Sequence, residues 1–494
     1  MSQIHIQDLS FMYEGSYDPI LEHVSVVLDT DWKLGLIGRN GRGKTTLLKL
    51  LCGEYRYEGR ILASVEFDYF PFEVQDKTLD TIEIVGQIDP DYETWELMKE
   101  LYSLELSDEL LYRPFCTLSN GEQTKVLLAV LFLKPGRFLL IDEPTNHLDA
   151  EARRTVGQYL QKKKGFILVS HDRAFMDSCV DHILAVNKAN IEVQKGNFSS
   201  WYANKQRQDQ FERAENEKLR KDIRRLSAAA RQAGAWADKT EAGKIGIAPD
   251  QKEKAGSRAY IGEKSRRMQQ QRKNMEARRE RAVQEKSKLL KNIEETEALK
   301  IRPAAYHTGR LLELQDVRIF YDGKQACGPL RFTLRQGDRI ALQGRNGCGK
   351  SSVIKLIAGE PLEYTGRMDA GANLKVSYVP QDVSFLRGKL EDYVRERDID
   401  ETLFKTILRK LDFSRAQFEK PMEAFSWGQR KKVLLAASLC EQAHVYVWDE
   451  PLNYIDVFSR MQIEELILEY APTMLFVEHD LAFMERVATE VIKF

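Results

Sequence analysis

A chain of 494 residues is longer than one hydrophobic core ordinarily organises, which predicts two or three domains. Hydrophobic residues make up 43% and charged residues 30%, and the longest strongly apolar run, 126–133, falls far short of the roughly 20 residues that span a bilayer, so an integral membrane protein is excluded. The formal net charge of −1 hides an asymmetry: residues 203–300 carry 26 Lys+Arg against 16 Asp+Glu while the remainder carries 48 against 59, so a polyanion partner is expected at one place only.

In chain order, alternating sequence at 4–9 predicts a strand, followed by Tyr13 beside a turn. A buried strand at 33–37 leads into Gly38-Arg39-Asn40-Gly41-Arg42-Gly43-Lys44-Thr45 and a helix at 45–51. The apolar runs 138–141 and 166–169 read as central parallel strands, the first ending in Asp142 and Glu143, the second followed by His171. From about 203 the composition turns to Lys, Arg, Glu, Gln and Ala. Phe211, Leu219, Ile223, Leu226 and Ala230 keep a helical spacing, and Met268, Met275, Ala282 and Leu289 repeat every seven, with Ile293 following. These predict two antiparallel helices with a thin apolar seam, about 203–232 and 262–298. Gly234, Gly243, Gly246, Pro249, Gly256 and Gly262 predict a loop region at the tip, with Trp236, Lys244, Ile245, Gly246, Ile247 and Tyr260 as its candidate contact residues.

Beyond 301 the first third repeats. Strands are predicted at 312–317, 339–342, 445–448 and 474–477, with Tyr321 after the first and a helix at 351–357. Gly344-Arg345-Asn346-Gly347-Cys348-Gly349-Lys350-Ser351 matches the first glycine loop, Phe425-Ser426-Trp427-Gly428-Gln429 matches Leu118-Ser119-Asn120-Gly121-Glu122, Asp449-Glu450 matches Asp142-Glu143, and His479 matches His171. The offsets lie between 306 and 308 residues, the mark of a tandem duplication. The six cysteines form no Cys-x-x-Cys pair, which speaks against a disulfide framework or structural zinc and for a reducing cytosol. The opening Met1-Ser2-Gln3-Ile4-His5 has neither a basic nor an apolar region, so no secretory signal is expected.

Gly-x-x-x-x-Gly-Lys-Thr/Ser between strand and helix is a phosphate loop. Its glycines let backbone N–H groups close round phosphates at a helix N-terminus, which carries positive potential. Lys44 and Lys350 are expected on the terminal phosphates, Thr45 and Ser351 on Mg²⁺, and Gly38, Asn40, Gly41, Gly43, Thr46, Gly344, Asn346, Gly347, Gly349 and Ser352 complete the two cradles. Asp142 and Asp449 are placed to hold Mg²⁺ through water, Glu143 and Glu450 to polarise attacking water, and His171 and His479 to contact the γ-phosphate.

Leu-Ser-x-Gly-Glu, leading into a helix, marks a resemblance to the ATP-binding cassette (ABC) superfamily over about 390 residues in two cassettes. The resemblance implies an α/β fold: two tandem ABC-type P-loop ATPase domains joined by a long α-helical hairpin linker, with domains at 1–202, 203–301 and 302–494. It further implies two ATP sandwiched head to tail in one monomer. Lys44, Asp142, Glu143 and His171 would face Ser426 and Gly428, and Lys350, Asp449, Glu450 and His479 would face Ser119 and Gly121. Tyr13 and Tyr321 would stack on adenine, and Gln381 would be the family's metal-side lid amide. Asp149 and Asp456 match its D-loop aspartates. Two departures belong to the Lys44 site: Phe72 stands where a lid glutamine is expected, and Trp427 where a small residue is usual. The two sites are therefore expected to hydrolyse unequally, the Lys350 site faster.

Paired cassettes, no membrane span and a basic hairpin resemble the ABC-F class, as does Gly196-Asn197-Phe198-Ser199-Ser200-Trp201 before the first helix. That resemblance implies a cytoplasmic partner, the bacterial 70S ribosome: its tRNA exit site and proteins there, 23S rRNA and the P-site tRNA. Only 75 residues separate Lys44 from Ser119, too few for the arm insertion of housekeeping ABC-F factors, and with Phe494 closing the second cassette no C-terminal extension is expected. This pattern is similar to the antibiotic-resistance ABC-F proteins, as is Asp31-Trp32-Lys33-Leu34-Gly35 to their Lsa/Vga/Sal-type group. The resemblance implies ribosome protection against lincosamides, pleuromutilins and streptogramin A. A housekeeping or regulatory ABC-F factor is the alternative, and a fused-cassette transporter ATPase a more distant one.

Overall fold

A computed structural model describes residues 2–13, 19–146, 148–187, 190–245, 255–288 and 299–494. Residues 1–199 and 295–494 form one compact unit and residues 200–294 another.

The first unit contains two α/β cassettes. In the first, strands 66–70, 137–142, 166–169, 33–37, 182–186 and 191–195 lie side by side in that order, parallel except for the last. The second repeats the plan with 376–379, 445–449, 474–477, 339–343 and 490–493, all parallel. Phe166–Val169 and Met474–Val477 are buried at every residue, as strands covered on both faces must be. Each cassette adds a three-stranded antiparallel sheet, Leu21–Asp29, Gln3–Phe11 and 58–62 in the first, Lys324–Arg335, Arg310–Tyr321 and 363–370 in the second. Between the two sheets of the first cassette, Leu47, Leu48 and Leu50 of the helix after the glycine loop pack with Ile4, Ile6, Leu34, Leu36, Phe138 and Ile167.

The helix Val457–Tyr470 starts at Asp456, which is fully buried; Oδ1 accepts from Ser459 N at 3.0 Å, and Oδ2 accepts from Lys432 Nζ at 2.8 Å. Lys432 is buried too and donates to Leu411 O at 2.8 Å. Removing one partner strands the other charge in the core, so Asp456→Ala is expected to cost about 3–5 kcal/mol, read by urea unfolding. Burial alone would raise the Asp456 carboxyl, but Lys432 holds it well below the usual carboxylate range. Its contribution is therefore complete above about pH 4 and is lost only as the solution is acidified below that.

The second unit is built on helices Phe198–Ile245, of 48 residues, and Ala255–Lys288, of 34. Both are longer at the tip side than the glycines suggest: the first passes through Gly234 and Gly243, the second through Gly256 and Gly262. A glycine inside a helix costs only about 1 kcal/mol against alanine, which long flanking stretches of good helix formers absorb. At 1.5 Å per residue the first helix is about 72 Å long. Its seam also differs from the expected one. Leu219, Ile223 and Leu226 are partly buried, but Phe211 is 65% exposed and Asn216 is buried instead. On the second helix Met275 is partly buried and Ala282 buried, while the side chains of Ala230 and Met268, with residues Leu289 and Ile293, lie outside the described residues. So do the side chains of Trp236, Lys244, Ile245 and Tyr260 and the whole of Gly246, Ile247 and Pro249. Among the described residues no helix is long and apolar enough to cross a membrane.

Candidate active sites

Both glycine loops leave the carboxyl ends of parallel strands and enter helices, Lys44–Leu51 and Lys350–Ala358, so each aims a helix N-terminus at the loop. Gly43 and Gly349 cap those helices at φ 83° and 96°. A Cβ at Gly43 would lie 2.5 Å from Ile20 Cγ2, and one at Gly349 2.3 Å from Cys327 Cβ, so glycine is required twice over at each. Lys44 Nζ donates to Gly38 O and Arg39 O at 2.8 and 3.1 Å, and Lys350 Nζ to Gly344 O and Arg345 O at 2.8 Å each. Burial lowers the Lys44 ammonium, against the pull of Asp456, Glu143 and Asp142.

The strands Arg137–Asp142 and Val445–Asp449 bring their terminal carboxylates beside the loops. Thr45 Oγ1 donates to Asp142 Oδ2 at 2.7 Å, and Tyr69 OH donates to the same oxygen at 3.0 Å. Burial raises Asp142, opposed by those two hydrogen bonds. Burial likewise pushes Asp449 up to about 6, opposed first by the Ser351 hydroxyl. Asp449 is 1% exposed, and its Oδ1 has no hydrogen-bond partner among the described residues.

Glu143 and Glu450 follow in the left-handed region, at φ 51° and 46°, although neither is glycine. Their amides still complete the sheet, donating to Val169 O and Val477 O. Held strain of this kind, of order 1–3 kcal/mol, clusters at functional sites. His171 Nε2 lies 3.2 Å from Glu143 Oε1, and His479 Nε2 3.5 Å from Glu450 Oε1. The two carboxylates then diverge. Glu450 Oε2 accepts from Gln381 Nε2 at 2.8 Å and from Asn453 Nδ2 at 2.5 Å. Burial favours its neutral form, but the neighbouring His479 and the hydrogen bond from Gln381 outweigh burial and lower it. Neither carboxylate oxygen of Glu143 has a hydrogen-bond partner among the described residues, and Phe72 does not line its cavity. Burial, then the neighbouring Asp142, push that carboxyl up to about 8, and burial takes His171 well below its ordinary value.

Two cavities open between the cassettes. One, of 480 Å³, is lined by Tyr13, Asn40, Gly41, Gly43, Lys44, Thr45, Thr46, Asp142, Glu143 and His171 of the first cassette and by Ser426, Trp427 and Gly428 of the second. The other, of 940 Å³, gathers Tyr321, Asn346, Gly347, Gly349, Lys350, Ser351, Ser352, Gln381, Glu450 and His479 with Ser119 and Gly121. Gly38, Gly344 and Asp449 stand behind these walls, the two glycines as carbonyl acceptors for the lysines. Ser119 and Ser426 cap the helices Asn120–Leu131 and Trp427–Cys440 in reciprocal capping boxes with Glu122 and Gln429, so each cavity meets two helix N-termini from opposite sides.

The cassettes touch through Asn40 Nδ2, which donates to Tyr454 O at 2.9 Å, and through Asn346 N with Asp149 Oδ2 at 3.4 Å. Arg173 also pairs at 2.6 Å with Glu464, a buried carboxylate that takes Arg486 on its other side. Four cations beside the sites escape sequence reasoning. Arg153 binds Leu148 O and Asp172, and Arg460 binds Ile455 O and Asp480, tying each D-loop to the segment after its histidine. Lys431 and Lys432 are buried in a helix whose residues 431–439 are all interior. The signal was two adjacent lysines entering an apolar run, Val433-Leu434-Leu435.

Comparison with known proteins places this geometry. The ABC transporter family model matches residues 21–146 and 327–453, together half of the chain. The ribosome protection protein VmlR of Bacillus subtilis is 29% identical over 488 residues, covering 96% of this chain and 84% of that one. The ATP-binding protein Uup of Buchnera aphidicola is 27% identical over 508 residues, covering 99% and 80%. Among solved structures, the complex of the archaeal ribosomal stalk protein aP1 with the archaeal ribosome recycling factor aABCE1 superposes with a TM-score of 0.63 at 20% identity, covering 98% of this chain and 87% of that chain. With two phosphate loops, two strand-end carboxylate pairs and two capped serine helices facing them across paired cassettes, the chain belongs to the ABC transporter family and is an ATPase with two of its ATP-binding domains.

Proposed function

We propose that this ATPase is a cytoplasmic ABC-F protein that enters the tRNA exit site of the bacterial ribosome and uses residues 203–301, between cassettes at 1–202 and 302–494, to dislodge antibiotics from the peptidyl-transferase centre. The observation that carries this reading is the match to a ribosome protection protein along 96% of the chain. The surplus of Lys and Arg over residues 203–300 supports it, since cationic helices neutralise RNA phosphates. The segment's far end, with Trp236, Lys244, Ile245, Gly246, Ile247 and Tyr260, is assigned the contacts to 23S rRNA and the P-site tRNA. Lincosamides, pleuromutilins and streptogramin A are the drug classes assigned.

In this reading the loop amides and Lys44 or Lys350 bind the phosphates of one ATP. Ser426 with Gly428, or Ser119 with Gly121, close on its γ-phosphate from the other cassette. Tyr13 and Tyr321 stack on the adenines. Glu143 and Glu450 orient water and accept its proton, and His171 and His479 contact the γ-phosphate. The oxygen donors fit Mg²⁺, which prefers hydroxyl, carboxylate and phosphate oxygens: Thr45 and Asp142 converge within 2.7 Å, and Asp449 keeps a buried oxygen without a partner among the described residues, beside Ser351. With Gln381 added on the second side, these residues would hold the ion, which supplies charge neutralisation on the phosphates. ATP closing the cassettes must supply about 5.5 kcal/mol to turn a 1:99 balance into 99:1, which two γ-phosphates bound between opposed helix ends can provide.

The test is the Glu143→Gln/Glu450→Gln double variant, sedimented with ATP and ribosomes through sucrose. Co-sedimentation that weakens steeply as salt rises is expected; free protein at the top of the gradient rejects the ribosome. A housekeeping or regulatory ABC-F role is the second reading, favoured by the match to Uup at 27% identity. Unchanged drug susceptibility of a host with and without the protein would select it.

A further inference from the structure

The helix Trp427–Cys440 begins at one candidate site and runs past the other. Its cap, Ser426, lines the Lys44 cavity. Further along the same helix Lys431 is 2% exposed, and its Nζ donates to Pro380 O at 2.8 Å and Asp449 O at 3.0 Å, with Gln381 O at 3.5 Å. Those carbonyls end two neighbouring parallel strands, Val376–Val379 and Val445–Asp449. The residues that follow, Gln381 and Glu450, hydrogen-bond each other at 2.8 Å. One ammonium thus sets the spacing between the lid amide and the carboxylate of the Lys350 site. Burying a cation is costly, so packing alone would favour an apolar side chain here.

The next residue ties the same helix back to the Lys44 site. Lys432 holds Asp456, close after Tyr454, and Tyr454 O accepts the hydrogen bond from Asn40 in the first phosphate loop. The first cassette has no equivalent of Lys431. At the matching position stands Thr124, whose hydroxyl donates to Asn120 O of its own helix at 2.8 Å.

We propose that Lys431 is a positioning residue that couples the state of the Lys44 site to turnover at the Lys350 site, with no counterpart in the first cassette, by holding Gln381 and Glu450 against the helix that Ser426 caps. The proposal rests on reading both cavities as ATP sites. In a Glu143→Gln background, hydrolysis comes from the Lys350 site. Glu450→Gln is the control: turnover that survives it means that the site assignment, and not the coupling, has failed. Within that background, Ser426→Ala is measured with and without Lys431→Thr.

Coupling free energies of 1–3 kcal/mol correspond to 5–150-fold. Ser426→Ala should therefore lower kcat about 5–10-fold with Lys431 in place and less than about twofold with Lys431→Thr, KM for ATP moving less than kcat. The mirror cycle, Ser119→Ala with and without Thr124→Ala in a Glu450→Gln background, should give the same fold-loss in both arms. Lys431→Met, which fills the volume without a donor, replaces Lys431→Thr if the latter unfolds. Equal fold-losses from Ser426→Ala in both arms would overturn the coupling, and a non-additive mirror cycle would overturn the absence of a counterpart in the first cassette.

Discussion

Steady-state ATP turnover is expected to fall about 100-fold in Glu450→Gln, the lower end of what a positioned general base supplies, and less than about threefold in Glu143→Gln. The prediction follows from what each carboxylate touches. Glu450 is gripped by Gln381 and Asn453 on one oxygen and faces His479 with the other. Glu143 has His171 at 3.2 Å, but neither of its oxygens has a hydrogen-bond partner among the described residues, and Trp427 lines the smaller cavity. A carboxylate held at one oxygen leaves the other free to aim at water; one without that grip loses orientation, and with it rate. Phosphate release at saturating ATP measures both variants, and equal losses would refute the inequality.

Gly428→Ala is expected to abolish turnover, by at least about 100-fold, because it wedges the paired cassettes apart and so also withdraws Ser119 and Gly121 from the Lys350 site, and displacing a reacting geometry by about 1 Å costs that much. A Cβ there would meet Tyr454 O at 2.4 Å and Asn40 Nδ2 at 3.1 Å, so backbone blocks it on one side and the opposing cassette on the other. Alanine is a better helix former than glycine by about 1 kcal/mol, which works against global unfolding. Loss of ATPase from a chain that still melts cooperatively is the expected result, with a lowered Tm reporting the displaced Tyr454 backbone. Turnover at the natural rate would show that the two cassettes need not approach this closely.

The central strands were legible because a parallel strand covered on both faces is a continuous apolar run, as in Phe166–Val169. The glycine loops were legible because their conformation is a local property. Other features depend on distant partners and left little trace. Gly234 and Gly243 read as punctuation, yet the helix runs through them, since a modest local penalty is outvoted by its flanks. Phe211 has the right spacing but faces solvent, while Asn216 takes the buried place. Pairing of Ser426 with the first phosphate loop rested on family resemblance, because no spacing within a chain says which surfaces meet. The buried carbonyl cage of Lys431 requires two strands and a helix to be assembled before the lysine has a reason to be there.

The left-handed backbone at Glu143 and Glu450 bears on any effort to make the protein more heat-tolerant. A redesign scored on folding free energy alone would rank glycine or asparagine above glutamate at both positions, because each relaxes a torsion that glutamate resists. Made at Glu450, such a substitution would yield a hardier molecule with almost no engine, so that residue above all has to be locked before optimisation begins.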